Sequence, residues 1–458
     1  MKTKLCICLI LFNFNYESQA QNTFEKTYGS SFFEEAKSVR QTADEGYIIG
    51  GTNLVKADSL GIEQWTKPYP STFANTTNQG YILINSNSPT ITFTKTDLNG
   101  TTLWQTNYSQ GIWANHGKYI EQVEDGGYIV AGNYQDVTGS GMLLLKLDSL
   151  GNKLWQKTFT EPTSASFCYG FSAQQTNENG YIIAGYTYIN YYDSTQHKDV
   201  FIVKTDSLGN EQWRKYFGGT MDDVGSFVRQ DNQGNYFIAA TTNSYSNGTE
   251  SDMYLIKLDS LGDSLWTRTY GGNLEETATG LWPTNDGGCI LVGKSNSFGN
   301  GDYNGYIVKT DGNGDTLWTK NYGGSGIETI NSVQQTADNG YVMVGYTSSI
   351  GAGDFDMFLL KTDSLGDYNL NTGVNENPNS KLKLDVYPNP NKGVFFIQSQ
   401  LKISKIDIIN LKGKTIYSLQ LNNNKANIDL SKEAKGIYFY QIYIAENQIV
   451  QSGKIVIE

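Results

Sequence analysis

Histidine is almost missing from this chain: His116 and His197 are the only two in 458 residues. That scarcity argues against imidazole metal sites and against the Ser-His-Asp and Cys-His arrangements that activate a nucleophile. No metal-ligand spacing, nucleophile elbow or Cys-His pairing stands in the sequence. A hydrolase built on it would have to work through carboxylates alone, as glycosidases do. Cysteine is nearly as scarce. Cys6 and Cys8 fall in the first twenty residues, which leaves Cys168 and Cys289 in non-neighbouring repeats. No disulfide is expected, and both read as buried thiols. Long apolar runs are absent as well. The stretch from Leu5 to Phe12 is too short to span a bilayer, and no other segment could. Lys2 and Lys4 precede that run and Ser18-Gln19-Ala20 follows it, so residues 1–20 read as a secretory signal peptide. Neither Cys6 nor Cys8 follows the small residue that lipoprotein cleavage requires.

Positive charge is also in short supply, with 34 Lys and Arg against 46 Asp and Glu and a net charge of −12. The deficit is uneven. The signal carries +1 and residues 381–458 carry +5, which leaves −18 on the rest. A surface this acidic repels nucleic acid and anionic membrane, and suits solubility outside the cell or cation binding.

What the chain does have is a unit of about fifty residues, seven times over. Each copy carries Lys-x-Asp-x-x-Gly, with the aspartates at Asp58, Asp97, Asp148, Asp206, Asp259, Asp311 and Asp363. Asp at the first place and Gly at the fourth predict a tight hairpin with a left-handed glycine. A tryptophan follows seven residues after the Asp in six copies: Trp65, Trp104, Trp155, Trp213, Trp266 and Trp318. Tandem units of this length, rich in short strands, predict a β-propeller. The copy around Tyr341 shows how one blade reads. TINSVQQT is the inner strand, Asn339-Gly340 a hairpin turn, YVMVGYT and DMFLLKT the second and third strands, and an LWTKNYGG-like segment the outer strand. Alternation is weak in the inner strands, as expected where both faces are buried.

The seventh copy lacks its outer strand, and the missing piece stands at the other end. TFEKTYG at 23–29 aligns with LWTKNYG at 317–323, with Phe24 in the place of Trp318. The N-terminal strand is therefore expected to complete the last blade and close a ring, leaving no open edge. The first copy, GYIIGGTNLVKADSLG, has almost no loop between its second and third strands and predicts an undersized blade.

Composition changes after Gly366. Residues 367–380 read as a polar linker, and KISKIDIINL and GIYFYQIYI in residues 381–458 alternate as strands of an independent β-domain. This module resembles the type A sorting domain of the type IX secretion system. The resemblance rests on Tyr387-Pro388-Asn389-Pro390 with Gly393, then Gly413-Lys414 and Tyr417. Ile428 to Ser431, Gly436-Ile437-Tyr438 and Lys454 to Ile457 follow in order. It implies a small β-sandwich recognised by an outer-membrane translocon. It also implies a cargo secreted from, or attached to, the outer surface of a diderm bacterium. The turn-plus-Trp unit, as in KLDSLGNKLW, resembles the tryptophan-docking motif of quinoprotein-like and Kelch-type propellers. The Asp-to-Trp spacing here is one residue shorter, and no separate feature points to a quinone cofactor.

Several segments invite chemistry. GCILVGKS at 288–295 fits a phosphate-loop pattern but falls on a predicted second strand rather than on a strand–loop–helix junction. Asp311-x-Asn313-x-Asp315 resembles the start of a calcium loop, without its glycine and its distal Glu, and coincides with an ordinary hairpin. Glu34, Asp223, Glu276 and Glu328 align where inner strands begin, as an arc over blades five, six, seven and one. Asp199, Asp252 and Asp356, with Asn304 in the corresponding place, precede third strands, two strand spacings (roughly 10 Å) away within a blade. The arc offers a cation site, calcium being the candidate, or a carboxylate pair for sugar chemistry. The bland alternative is that each acid accepts N–H groups of a Gly-Gly turn. Opposite the arc, Trp113 and the inserted-loop residues Tyr188, Tyr191 and Tyr192 are candidate ligand-binding aromatics.

The expectation is an all-β chain: signal peptide 1–20, seven-bladed β-propeller 21–366, linker 367–380, sorting β-sandwich 381–458. Its function is expected to be non-catalytic binding of an extracellular glycan or protein through the loop face, by a monomer with no bound cofactor. The alternative is a carbohydrate-active enzyme using the carboxylates at the channel mouth. Nothing in the sequence names the ligand.

Overall fold

Seven times the chain makes four short antiparallel strands joined by turns that the repeat motif dictates. The computed structural model describes residues 22–69, 72–75, 80–87, 89–109, 114–136, 139–161, 167–189, 195–368, 384–410, 414–443 and 449–458. It divides into two compact units, Met1–Tyr368 and Asn369–Glu458. The first is a propeller of seven four-stranded sheets. In blade 5 the strands run Asp223–Gln230, Tyr236–Thr242, Asp252–Leu258 and Ser264–Tyr270, from channel to rim. The second and third strands are almost wholly buried, because neighbouring blades cover both faces.

Blade 7 takes its outer strand from the other end of the unit. Phe24–Tyr28 pairs antiparallel with Asp356–Thr362, Phe24 opposite Lys361 and Tyr28 opposite Met357. Blade 1 is small but four-stranded: Ala36–Gln41, Tyr47–Gly51, Leu54–Ala57 and Glu63–Lys67, with only Thr52 and Asn53 between its second and third strands.

The repeated turn has a second task, which is to receive the preceding blade. In blade 4, Asp206 Oδ1 accepts the N–H groups of Leu208 (2.9 Å) and Asn210 (2.8 Å), and Gly209 adopts φ +77°. A Cβ on Gly209 would lie 2.8 Å from Trp155 Cζ3, so the indole of blade 3 rests on that glycine. The same contact joins Trp65 to Gly100, Trp104 to Gly151, Trp213 to Gly262, Trp266 to Gly314 and Trp318 to Gly366. Phe24 rests on Gly61 at the closure. Hydroxyls reinforce it: Tyr270 donates to Gly314 O at 2.6 Å and Tyr28 to Gly61 O at 2.7 Å.

The motif lysine works within the blade. Lys361, almost fully buried, donates to Asp338 in the hairpin between the first and second strands (2.9 Å) and to Thr362 O (2.9 Å). Burial pushes the Asp338 carboxyl up, but Thr336 and Lys361 outweigh it and hold it below the usual range. Lys56–Asp44, Lys146–Asp125 and Lys309–Asp286 repeat the pair at 2.8–2.9 Å.

The second unit is a β-sandwich made from one folded sheet. Its long strands, Val394–Asn410 and Thr415–Asp429, pair through Val394–Gln398 and again through Ile403–Ile409, with a register break between. The first half also pairs with Leu384–Tyr387, the second with Gly436–Tyr443, which in turn pairs with Ile449–Ile457. The sheet turns a corner at the break, and both halves close on Phe395, Ile397, Ile406, Ile408, Ile442 and Ile455.

The indole-on-glycine contacts predict that Trp155→Ala will cost about 3 kcal/mol, the low end for a tryptophan because the ring is part-exposed. Equilibrium urea unfolding measures this. A loss below about 1 kcal/mol would mean that the contact does not hold the blades together.

Candidate functional site

The aligned carboxylates stand where inner strands begin, and three of them accept N–H groups of the Gly-Gly turns, the second of the two readings. Asp223, Glu276 and Glu328 do begin inner strands, with Glu34 two residues before one, but all four are buried. All of their oxygens but Glu34 Oε2 accept hydrogen bonds. Glu276 accepts from Gly272 N (2.7 Å), Ser295 Oγ (2.6 Å) and Ser297 N (3.1 Å). Glu328 accepts from Gly324 N (3.0 Å) and Thr347 Oγ1 (2.8 Å), and Asp223 from Gly219 N (2.9 Å), Ser244 Oγ (2.6 Å) and Thr242 Oγ1. Glu34 accepts from Ser30 Oγ. None of the four lines the channel. They latch the loops that enter each blade.

The second acidic set meets the first across blade junctions, not within a blade. A Cβ on Gly271 would collide with Asp252 Oδ1 of blade 5 and lie 2.6 Å from Glu276 Oε2 of blade 6. Gly218 separates Asp199 from Asp223 in the same way, and Gly323 separates Asn304 from Glu328. In blades 5 and 6 the outer atom is fixed by the preceding loop. Asp252 Oδ2 accepts from Asn247 N (2.8 Å), and Asn304 Oδ1 from Gly301 N (3.0 Å). The inner atom therefore faces the next blade's carboxylate. In blade 6 it is an amide nitrogen; in blade 5 it is Asp252 Oδ1, buried without a hydrogen-bond partner. Burial, and then the Glu276 charge, raise the Asp252 carboxyl above the usual range against the Asn247 N–H groups. Asp199 is raised by burial and by Asp223 against the pull of His197.

Among the described residues no three His, Cys, Asp or Glu side chains gather in a way that could hold a metal ion. Asp311 Oδ1 accepts Asn313 N (2.8 Å) and Asp315 N (2.9 Å) as an ordinary turn. Cys289–Ser295, the core of the phosphate-loop match, is the second strand of blade 6, paired on both sides. Cys168 and Cys289 are buried and free, and burial pushes the Cys289 thiol up to about 12.

The open space is the channel, in two chambers. One, of about 780 Å³, lies where the inner strands begin; the other, of about 620 Å³, lies at their far ends. Between them Arg40 stacks on Trp282 at 5.6 Å and donates to Tyr119 Oη at 3.2 Å. Arg229 lies 4.4 Å over Phe227, donates to Tyr119 Oη and pairs with Glu121 at 3.4 Å. The first chamber is walled by a repeated irregularity. In six blades the inner strand carries a bulge against its neighbour, and the bulged residue is skipped by the ladder. These residues are Lys37, Lys118, Phe171, Ser226, Thr279 and Asn331, and all six line the chamber. Sequence reasoning passed over them. The signal was available as one register position, four before the end of each inner strand, where side-chain chemistry changes from copy to copy inside an otherwise uniform repeat.

Of the candidate aromatics, Trp113, Tyr191 and Tyr192 lie outside the described residues. Tyr188 is described, and it joins a half-buried cluster on blade 4. Tyr188 meets Tyr186 at 5.8 Å, Tyr186 stacks on Tyr169 at 5.0 Å and on Phe171 at 5.8 Å, and Lys198 sits over both Tyr186 and Tyr188. Because Phe171 also lines the first chamber, the aromatic faces run from the loop side into the channel.

In the second unit the residues of the sorting motif join its first loop to its last strand. Asn389 Nδ2 donates to Lys454 O (2.8 Å) and its Oδ1 accepts Val456 N (2.9 Å). Gly393 sits at φ +97°, where a Cβ would lie 2.6 Å from Ser431 Cα. Tyr387, about half exposed, packs on Phe396 at 5.9 Å. Pro388 and Pro390 follow cis peptide bonds, Gly436 has φ +153°, and Lys414 N donates to Asn410 Oδ1 at 3.1 Å. Gly413 lies outside the described residues.

The chain is a seven-bladed β-propeller followed in sequence by a small β-sandwich. Residues 385–458 match the family model of the secretion system C-terminal sorting domain. The chain is exported through the type IX system and is secreted from, or attached to, the outer surface of a diderm bacterium. Among solved structures, BamB from Moraxella catarrhalis is similar at 11% identity over 74% of this chain and 100% of its own, with a TM-score of 0.38. PorZ, a surface component of the type-IX secretion system of Porphyromonas gingivalis, is similar at 10% identity over 94% and 70%, with a TM-score of 0.35. The Pan2 WD40 domain of Neurospora crassa is similar at 12% identity over 77% and 99%, with a TM-score of 0.46. No curated protein matches the chain. The propeller assignment rests on the strand pairing above.

The junction pairs generate a pH prediction. Because the Asp252 carboxyl is raised in the fold, the folded state binds more protons than the unfolded one above the ordinary aspartate range. Its stabilising contribution is full at low pH and is lost as pH rises through the folded value. Asp252→Asn copies the Asn304 arrangement and should gain on the wild type as pH rises from about 4 to about 8. Urea midpoints compared at each pH test this; a difference that stays constant would refute it.

Proposed function

We propose that this exported propeller binds an extracellular glycan without catalysis, on the face where its inner strands begin. The observation that carries the reading is the run of aromatic faces on blade 4. Tyr188, Tyr186 and Tyr169 lead to Phe171 in the 780 Å³ chamber. Sugar rings present flat C–H faces that stack on such side chains, and a chamber of this size takes one or two of them. The carboxylates that a glycosidase would use are engaged in loop latches, which favours binding over turnover. Export begins with the signal at residues 1–20, cleaved after Ala20, and ends with recognition of the sorting sandwich by the translocon.

Two outcomes are expected. Tyr186→Ala and Tyr188→Ala should each weaken binding to a polysaccharide panel by about 1–2 kcal/mol, or five- to thirtyfold, with the urea midpoint changed little. Isothermal titration reads this, and unchanged affinity in both variants would sink the aromatic face. Deleting Lys381–Glu458 should strand the propeller in the periplasm. Cell fractionation decides, and a propeller still found outside would remove the sorting role.

A further inference from the structure

The first chamber breaks the charge pattern of the molecule around it. The propeller region carries a large excess of acids, yet the bulge ring contributes two lysines, Lys37 and Lys118, and no acid. Its other members are Ser226, Thr279 and Asn331, which offer hydroxyls and an amide, and Phe171, which offers a ring face. Arg40 at the floor and His116 on the wall bring the cationic or imidazole groups to four. Among the described residues one carboxylate, Glu35, lines the chamber. It lies 4.0 Å from Lys37 and accepts from Asn331 Nδ2 at 3.1 Å.

The lysines sit on one side, for a reason visible in the strands. They belong to the inner strands of blades 1 and 3. Between them, the described inner strand of blade 2 is only Thr72–Asn75 and pairs with Tyr81–Ile84. Asn85 and Ser86 of the second strand line the chamber. Ser86 exchanges hydrogen bonds with Gly117 of blade 3, at 2.8 and 3.0 Å. Phe171 of blade 4 stands beside this cationic sector. Burial and then Lys37 hold the Lys118 amine below its usual range, and burial and then Lys118 hold the His116 imidazole below its own.

We propose that the bulge ring is an anion site, taking the carboxylate or sulfate of an acidic sugar between Lys37 and Lys118 while the sugar ring stacks on Phe171. This deepens the glycan-binding reading and rests on it. A site facing outward from an acidic protein needs local positive charge to admit an anionic chain, and the β-bulge supplies it by aiming a residue into the channel that a regular ladder would have placed in the sheet. The aromatic cluster outside would guide the neutral remainder of the polymer. Binding an anion favours the protonated forms of His116 and Lys118, so the site should bind more tightly at acid pH.

The experiment uses the full chain and four probes in isothermal titration: polygalacturonate, dextran sulfate, neutral dextran and inorganic sulfate. The proposal expects the two acidic polymers to bind, with affinity falling as salt rises and as pH goes from about 5 to about 7. Lys37→Gln and Lys118→Gln should each weaken them about tenfold or more, with urea midpoints matching the wild type. Binding of polygalacturonate but not dextran sulfate, or the reverse, supports the site and assigns the anion. Acidic polymers held equally by both lysine variants, or neutral dextran bound as tightly as polygalacturonate, overturns the proposal and leaves the glycan reading standing. Inorganic sulfate bound through Lys37 and Lys118 with no polymer bound supports the anion chamber and overturns the glycan reading. No probe bound at all overturns both.

Discussion

An indole resting on a glycine holds this propeller together. Each blade buries the inner faces of its second and third strands on its neighbours, but apolar surface alone does not fix the angle between blades. The Trp-on-Gly contact does. The glycine must be glycine twice over, since the turn requires a left-handed residue and the indole occupies the place of a side chain. The tryptophan is needed in every blade because every junction needs the same angle if seven are to close. At the last junction Phe24 takes its place on Gly61, and a smaller ring serves beside a small first blade.

Closure makes the channel, and the bulges furnish it. A regular inner strand would direct alternate residues into the sheets on either side. One skipped residue per strand turns a side chain toward the axis at the same height in six blades. Scaffold and function therefore occupy different positions of one repeat. What recurs, Asp, Gly, Trp and the buried Lys, is structural. What varies at the bulge, Lys, Phe, Ser, Thr and Asn, is where the copies differ in chemistry. Asp223, Glu276 and Glu328 fall on the structural side: they recur, and their oxygens accept loop N–H groups and hydroxyls.

Much of the fold was legible. The Lys-x-Asp-x-x-Gly motif announced a hairpin whose Asp takes two N–H groups, and the split repeat at 23–29 pointed to the N-terminal strand that pairs with Asp356–Thr362. The alternating strands of residues 381–458 resolve into a sandwich with its motif asparagine tied to the last strand. The candidate site was less legible. The acids were found because they recur, but recurrence could not say that Asp252 faces Glu276 of the next blade and not Glu276 of an open arc. Lys37 and Lys118 drew no notice, because nothing local to AKSVRQ or ANHGKYIEQ marks the skipped residue.

By itself the sequence determined the number of blades, the way the ring closes and the route of export. Each of these is written in local turn chemistry or in contiguous motifs, which need no knowledge of distant neighbours. Tertiary structure decided which carboxylates meet and which side chains face the axis. Both depend on register, and a shift of one residue between paired strands changes the face on which every following side chain emerges.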